Sequence, residues 1–307
     1  MTLRSDSRLE RILHEDEFAV TAEVVPPKGA DADTVRNQAE ALLGYADAVN
    51  ITDNPTSSAH MSSVAGAALV AESGLEPVVQ ITTRDRNRLA ITADLLGAWA
   101  LGARNVLCLT GDPVTAGDHP EAKEVFDLNV ADLVRFVVRL RDQGELLSGR
   151  RVDASPRYFV GVADVPLVPE YDPGRLEEKV EAGADFIQTQ IVYDVEALGE
   201  WAERIRPLGI FDRAFVLVGV APPRSARSAR FMQEHLPGVI VPDEVIRRLE
   251  EAGEDSQREG VRLTVEVVRA LKSIDGVAGV HVMGLGREES VRQVIEEAEL
   301  LPRPQPA

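Results

Sequence analysis

The chain has 307 residues, 44% of them hydrophobic and 27% charged, the balance of a globular protein with one large domain or two small ones. Its 51 acidic against 33 basic residues leave a net charge of −18, which argues against a nucleic-acid or anionic-membrane surface. A single cysteine, Cys108, excludes an internal disulfide and fits a reducing compartment.

The N-terminus is polar and charged from Arg4 to Glu17 and has no signal-peptide pattern. No apolar run is long enough to span a membrane, so a cytoplasmic location is expected. Residues 1–17 read as a polar, helical extension. Strand one is predicted at Phe18–Val25 and stops at Pro26-Pro27, which cannot donate to a ladder. A helix over Thr34–Leu43 follows. The next strands are Ala48–Thr52, Pro77–Thr82 and Asn105–Leu109, separated by helices over Ser62–Glu72 and Arg88–Leu101. After a long polar loop comes a helix from Val130 to Arg141, and Gln143–Pro156 reads as an exposed excursion. Strands Tyr158–Val162, Phe186–Gln190 and Phe215–Val220 then alternate with helices over Arg175–Glu181, Val195–Ile205 and Ala226–His235. Glu234–Val277 is too long for one connection and contains a further helix over Val261–Leu271. Strand eight is Val280–Met283, followed by a helix over Glu288–Leu300. Residues 302–307 are expected to be disordered.

Eight Val/Ile/Leu-rich strands, each followed by a helix, predict an α/β protein with a parallel sheet. At this length the expectation is one (β/α)8 TIM barrel over residues 18–301, with a doubly wound open sheet as the alternative. In such a barrel the chemistry sits where the strands end. The exits here carry Glu23, Thr52, Gln80 with Thr82, Thr110-Gly111-Asp112, Asp164, Gln190, Gly219 and Gly284. Glu23, Gln80 and Gln190 lie inside apolar strands, where a polar side chain needs a reason.

Glu23 is expected to have a raised pKa and to serve as a proton donor, or else to pair with Lys28. Asp112 is either a site residue or the acceptor of a loop turn. Gln190 either meets a ring edge carrying donors and acceptors or is a satisfied core amide. Thr83-Arg84-Asp85-Arg86-Asn87-Arg88 puts three arginines before a helix capped by Asn87. That loop reads as an anion site or as a solvated charged loop. Lys179, among Glu177, Glu178 and Glu181, reads as a surface ion pair. There is no Walker loop, dinucleotide fingerprint, nucleophile elbow or metal-ligand spacing of histidines.

Glu23 before Pro26-Pro27, Leu109-Thr110-Gly111-Asp112-Pro113, and Ala182-Gly183-Ala184-Asp185-Phe186-Ile187-Gln188-Thr189-Gln190 occur in one order and spacing. Together they resemble the methylenetetrahydrofolate reductase family, in a divergent branch marked by Arg84–Arg88 and Gly117-Asp118-His119-Pro120. The resemblance implies a barrel that binds FAD, takes electrons from NAD(P)H and reduces 5,10-methylenetetrahydrofolate to 5-methyltetrahydrofolate. It implies that Glu23 is the general acid, that Asp112 acts near the pterin and flavin, and that Gln190 recognises substrate across the same mouth, with Gly219 beside it. Thr52, Gln80, Thr110, Gly111 and Lys179 match flavin-lining positions, and Thr82 and Arg84 join them as cofactor-binding candidates. The family's aromatic residues after the acid are Val24 and Val25 here, its strand-three histidine is Gln80, and its arginine before Gly111 is Thr110. These departures leave room for an electron-donating partner protein. A corrinoid-directed folate methyltransferase and a non-catalytic folate-binding subunit are the alternative readings, and a homo-oligomer is expected.

Overall fold

A computed structural model describes residues 3–306. Eight parallel strands close into a barrel in chain order. They are β1 (Ala19–Val24), β2 (Ala48–Ile51), β3 (Pro77–Thr82), β4 (Asn105–Leu109), β5 (Phe159–Asp164), β6 (Phe186–Ile191), β7 (Phe215–Val220) and β8 (Val277–Val282). β8 pairs with β1, Thr21 standing opposite His281. The TIM barrel replaces the open-sheet alternative.

Helices α1 (Arg8–His14), α2 (Ala32–Leu42), α3 (Ser63–Glu72), α4 (Arg88–Ala100), α5 (Val130–Gln143) and α6 (Pro173–Glu181) lie in the first part of the chain. The remainder are α7 (Val195–Ile205), α8 (Ala226–His235), α9 (Asp243–Glu251), α10 (Ser256–Leu271) and α11 (Glu288–Glu297). Short polar side chains start many of them. Asp31, Ser62, Asn87, Asn129, Asp172, Asp194 and Ser225 each accept a first-turn N–H, satisfying donors that a helix start leaves unpaired. Two helices go beyond the sequence reading: α9 was unforeseen, and α10 begins at Ser256 rather than Val261. Among the described residues, no helix is long and apolar enough to cross a membrane.

Strand alternation sorts the interior into storeys. Outward residues such as Val20, Ala22, Val24, Val79, Ile81, Val160 and Val162 meet the helices in the main core. Inward residues at the strand starts, including Val78, Leu107, Phe159, Phe186 and Leu217, fill the barrel floor. Leu9, Ile12 and Leu13 of α1 plug that floor from below. The extension at residues 1–17 is thus packed into the barrel where it is described. Arg303, in the segment expected to be disordered, is buried and paired with Asp47 at 2.5 Å.

Above the apolar floor lies a polar storey. Thr21, Asn50, Gln188 and His281 are all buried and bonded to one another. Above it, on the next inward positions of the same strands, stand the residues at the barrel mouth. The register of β6 against β7 shifts between Gln188 and Ile191, so the strand is irregular around Gln190.

Candidate active site

Glu23, Gln80 and Gln190 line one cavity of about 160 Å³ at the C-terminal ends of the strands. Asn50, Gln188 and His281 also line it, as do Leu107, Leu109 and Met283. The polar residues picked out within the strands are therefore brought together. The Glu23 carboxyl has no hydrogen-bond or ion-pair partner among the described residues. Lys28 instead belongs to a separate shallow surface with His60 and Met61. Burial alone pushes the Glu23 carboxyl up to about 7, because its charged form loses water and gains no counter-charge. It is thus poised to hold or give a proton near neutral pH.

A second carboxyl, Asp164 at the end of β5, borders the same cavity. Burial raises its pKa, while Lys179 and the Tyr171 hydroxyl, at 2.8 Å, act in the opposite direction. His281 is pushed down to about 4 by burial and is therefore neutral at pH 7. Gln190 folds its Oε1 onto the Ile191 N–H at 3.0 Å, and its Nε2 has no partner among the described residues.

Asp112 takes no part in this cavity. It is exposed, and its Oδ2 accepts the Thr56 N–H at 2.8 Å. Its carbonyl accepts from Ser57 Oγ at 2.7 Å and Arg84 Nη1 at 2.9 Å. The loop-turn reading describes its place, outside the residues that line the Glu23 cavity. Arg84 is only 1% exposed, and all five guanidinium donors are engaged, by Asp85, Ser57, Asp112 and Asn54. Gly111, at φ +94°, makes this possible, since a Cβ there would stand 3.0 Å from Arg84 Cβ. The neighbouring arginines are also struts: Arg86 grips Asp53 and Asp94, and Arg88 grips Asp127. The solvated charged loop describes exposed Arg88, while Arg84 and Arg86 are withdrawn from solvent and fit neither that reading nor an open anion site.

Thr82 gives its hydroxyl to Asp53 at 2.8 Å, and Thr110 is exposed. Lys179 is half-buried rather than in a surface pair, and its Nζ donates to Ala163 O at 2.7 Å. Gly219 has a packing reason, because a Cβ would come within 2.4 Å of Thr189 O and 2.8 Å of Met283 Cε. Thr52 is different: its buried Oγ1 has no partner among the described residues. The Gln80 amide also makes no side-chain bond among the described residues. These two groups suit the donor-and-acceptor edge of a flavin ring. Arg84 holds no donor ready for a dinucleotide's phosphates, whereas the Lys179 ammonium has donors beyond its bond to Ala163 O.

The residues missed by the sequence reading are Asn50, Gln188 and His281. Their signal was present: each is polar within an apolar strand, two positions before Thr52, Gln190 and Met283. Arg287, also missed, has a buried Nη1 without a partner beside Arg224 at the exits of β7 and β8.

A sequence profile described as methylenetetrahydrofolate reductase matches residues 8–299. Methylenetetrahydrofolate reductase 1 of Schizosaccharomyces pombe is 29% identical over 74% of this chain and 36% of its own length. The chain thus spans little more than a third of that relative. The 5,10-methylenetetrahydrofolate reductase of Salmonella typhimurium is 25% identical over 70% of this chain and 68% of its own length. Among solved structures, an uncharacterized Clostridium thermocellum protein that binds two copies of 5-methyl-5,6,7,8-tetrahydrofolic acid has a TM-score of 0.65. It is 15% identical, covers 96% of this chain with 99% of its own, and shares the fold. With its profile match running over nearly the whole barrel, the chain belongs to the methylenetetrahydrofolate reductase family.

Proposed function

We propose that the chain reduces 5,10-methylenetetrahydrofolate to 5-methyltetrahydrofolate, with Glu23 as the proton donor. The observation that carries this reading is the unpaired Glu23 carboxyl, pushed to about 7 on a cavity shared with Gln80 and Gln190. A protonated Glu23 gives its proton to N10 of the substrate. The bond from the bridging carbon to N10 breaks, and an iminium forms at N5. Hydride addition to that carbon completes the methyl group, and Glu23 regains a proton from solvent. When bound, a flavin such as FAD with its edge at Thr52 and Gln80 supplies the hydride, and NAD(P)H the electrons, as the resemblance implies.

Gln190 Nε2 is free to hold the pterin edge. The apolar walls Leu107, Leu109 and Met283 limit water around the reacting carbon. Arg224 and Arg287, which form no ion pair among the described residues, suit the acidic tail of a folate. The methylated folate described for the clostridial barrel is of the same ligand class.

The test is turnover by the purified chain with NADH or NADPH, followed by its visible spectrum and by methyltetrahydrofolate formation. The reading requires methyltetrahydrofolate to form in the wild type and to be lost in Glu23→Gln while ligand binding persists. Turnover that is unchanged in Glu23→Gln removes Glu23 from the acid role.

A further inference from the structure

Barrel interiors of this kind are normally filled by layers of bulky branched apolar side chains. Here the layer directly under Glu23 is polar instead. Thr21 is 0% exposed, Asn50 1%, Gln188 3% and His281 4%. Burying four polar side chains is unfavourable unless each finds partners, and these four find them in one another. Asn50 Nδ2 donates to Gln188 Oε1 at 2.6 Å, and Gln188 Nε2 returns a bond to Asn50 Oδ1 at 3.2 Å. The second hydrogen of Gln188 Nε2 goes to Thr21 Oγ1, also at 3.2 Å.

The Thr21 hydroxyl therefore already accepts one bond and has one hydrogen to give. Its two acceptors are His281 Nδ1 at 2.9 Å and Val280 O at 3.4 Å. The shorter contact favours His281. A neutral imidazole that accepts at Nδ1 carries its hydrogen on Nε2. The chain of bonds thus ends on a ring that lines the cavity. Thr21 stands opposite His281 in the β1–β8 register, and Glu23 is the next inward residue along β1. Glu23 and His281 line the same small cavity.

We propose that His281, fixed as the Nε2–H tautomer by Thr21, Gln188 and Asn50, is a positioning residue for Glu23: it offers a hydrogen bond to the carboxylate left after Glu23 has given up its proton. The polar storey then has a reason beyond filling space. It supplies a neutral donor that meets the new charge without introducing a fixed positive charge, which would keep Glu23 ionised from the start. The other titratable group on the cavity is Asp164 of β5, faced by Lys179 and Tyr171. β2, β3 and β6 present the amides Asn50, Gln80, Gln188 and Gln190, which do not titrate.

This assignment rests on Glu23 being the proton donor, but its test reads ionisation in the ligand-free chain and needs no turnover. The full-length protein is labelled with carbon-13 in its glutamate carboxyls, and the Glu23 signal is identified by its absence in Glu23→Gln. Titration of wild type, His281→Leu and His281→Gln then follows that signal. Loss of the donor in His281→Leu is expected to raise the Glu23 midpoint by about one pH unit, and His281→Gln, which keeps an N–H, is expected to restore it. Equal midpoints in all three proteins overturn the proposal. Should His281→Leu fail to fold, nitrogen-15 shifts of the wild-type ring decide the matter. An unprotonated Nδ1 with a protonated Nε2 supports the assignment, and a protonated Nδ1 overturns it.

Discussion

Glu23 carries a measurable conflict between fold and function. Its carboxyl is raised from the usual 4.5 to about 7 by burial, so the folded chain holds its proton more tightly than the unfolded chain does. The stability this contributes is complete below about 4.5 and is lost as pH rises through 7. At one pKa unit per about 1.4 kcal/mol, the full loss is about 3 kcal/mol. Glu23→Gln is therefore expected to unfold like the wild type at pH 4 and to be more stable by up to about 3 kcal/mol at pH 8, read from urea midpoints. A variant that is less stable at pH 8 contradicts the half-buried, unpaired carboxyl. The same substitution is expected to lower turnover by roughly 100-fold or more, the usual scale for a lost general acid. Wild-type turnover limited by the acid step is expected to fall as pH rises through about 7, and a flat profile up to pH 9 would sink that role. Arg287 gives a different signature. Arg287→Leu removes a cation that has no ion-pair partner, so KM for the folate is expected to rise about tenfold with kcat little changed. An unchanged KM would remove it from the binding site.

Strands and helices were legible in the sequence because their signals are local. Val- and Ile-rich runs bounded by Gly, Pro and Asp mark the strands, and β3, β4 and β7 fall where those runs lie. α9 was not legible, since Asp243–Glu251 is short, highly charged and set inside a long connection. The loops at the mouth were less legible still. Arg84, Asp112 and Ser57 are far apart in sequence, and only the closed barrel brings them together. In that clasp Asn54, Thr56 and Ser57 all have positive φ, a conformation that L-residues, and β-branched ones above all, adopt only at a cost. Thr56 has φ 53° and ψ 28°, and its N–H bonds Asp112. Glycine keeps that N–H and removes the Cβ clash. Thr56→Gly is thus expected to raise stability by about 1 kcal/mol, measured by urea unfolding. A destabilised variant would show that the Thr56 hydroxyl, bonded to Pro55 O at 2.7 Å, outweighs the strain.

Helix α1 and the segment around Arg303 meet at the barrel floor, opposite the cavity. α1 enters the floor through Leu9, Ile12 and Leu13. The C-terminal segment returns to the seam between β1 and β2, where Arg303 lies against Asp47. Arg303 Nη2 donates to Asp47 Oδ2 at 2.5 Å and Nε donates to Oδ1 at 3.1 Å. Nη1 also donates to Leu300 O and Nη2 to Phe18 O. Asp47 Oδ2 also accepts the Val20 N–H at 2.8 Å, and the Asp47 side chain is 0% exposed. Composition alone suggested a loose tail here, because a lone arginine among prolines carries no local sign of a buried partner 256 residues away. Removing Arg303 leaves Asp47 buried with only the longer contact to Arg8 Nη2, at 3.8 Å, as counter-charge; breaking one side of a buried pair costs up to about 3–5 kcal/mol, whereas removing both is far milder. Arg303→Met is accordingly expected to lose up to about 3–5 kcal/mol and the pair Asp47→Asn with Arg303→Met to recover much of that loss. Both are read by urea unfolding at pH 7. Folate turnover of the folded variants is expected to stay at the wild-type level, because Asp47 precedes β2 while Glu23 lies at the opposite end of β1. A loss below about 1 kcal/mol in Arg303→Met would place the pair among ordinary surface contacts. A turnover defect at full folding would mean that the floor of the barrel is coupled to its mouth.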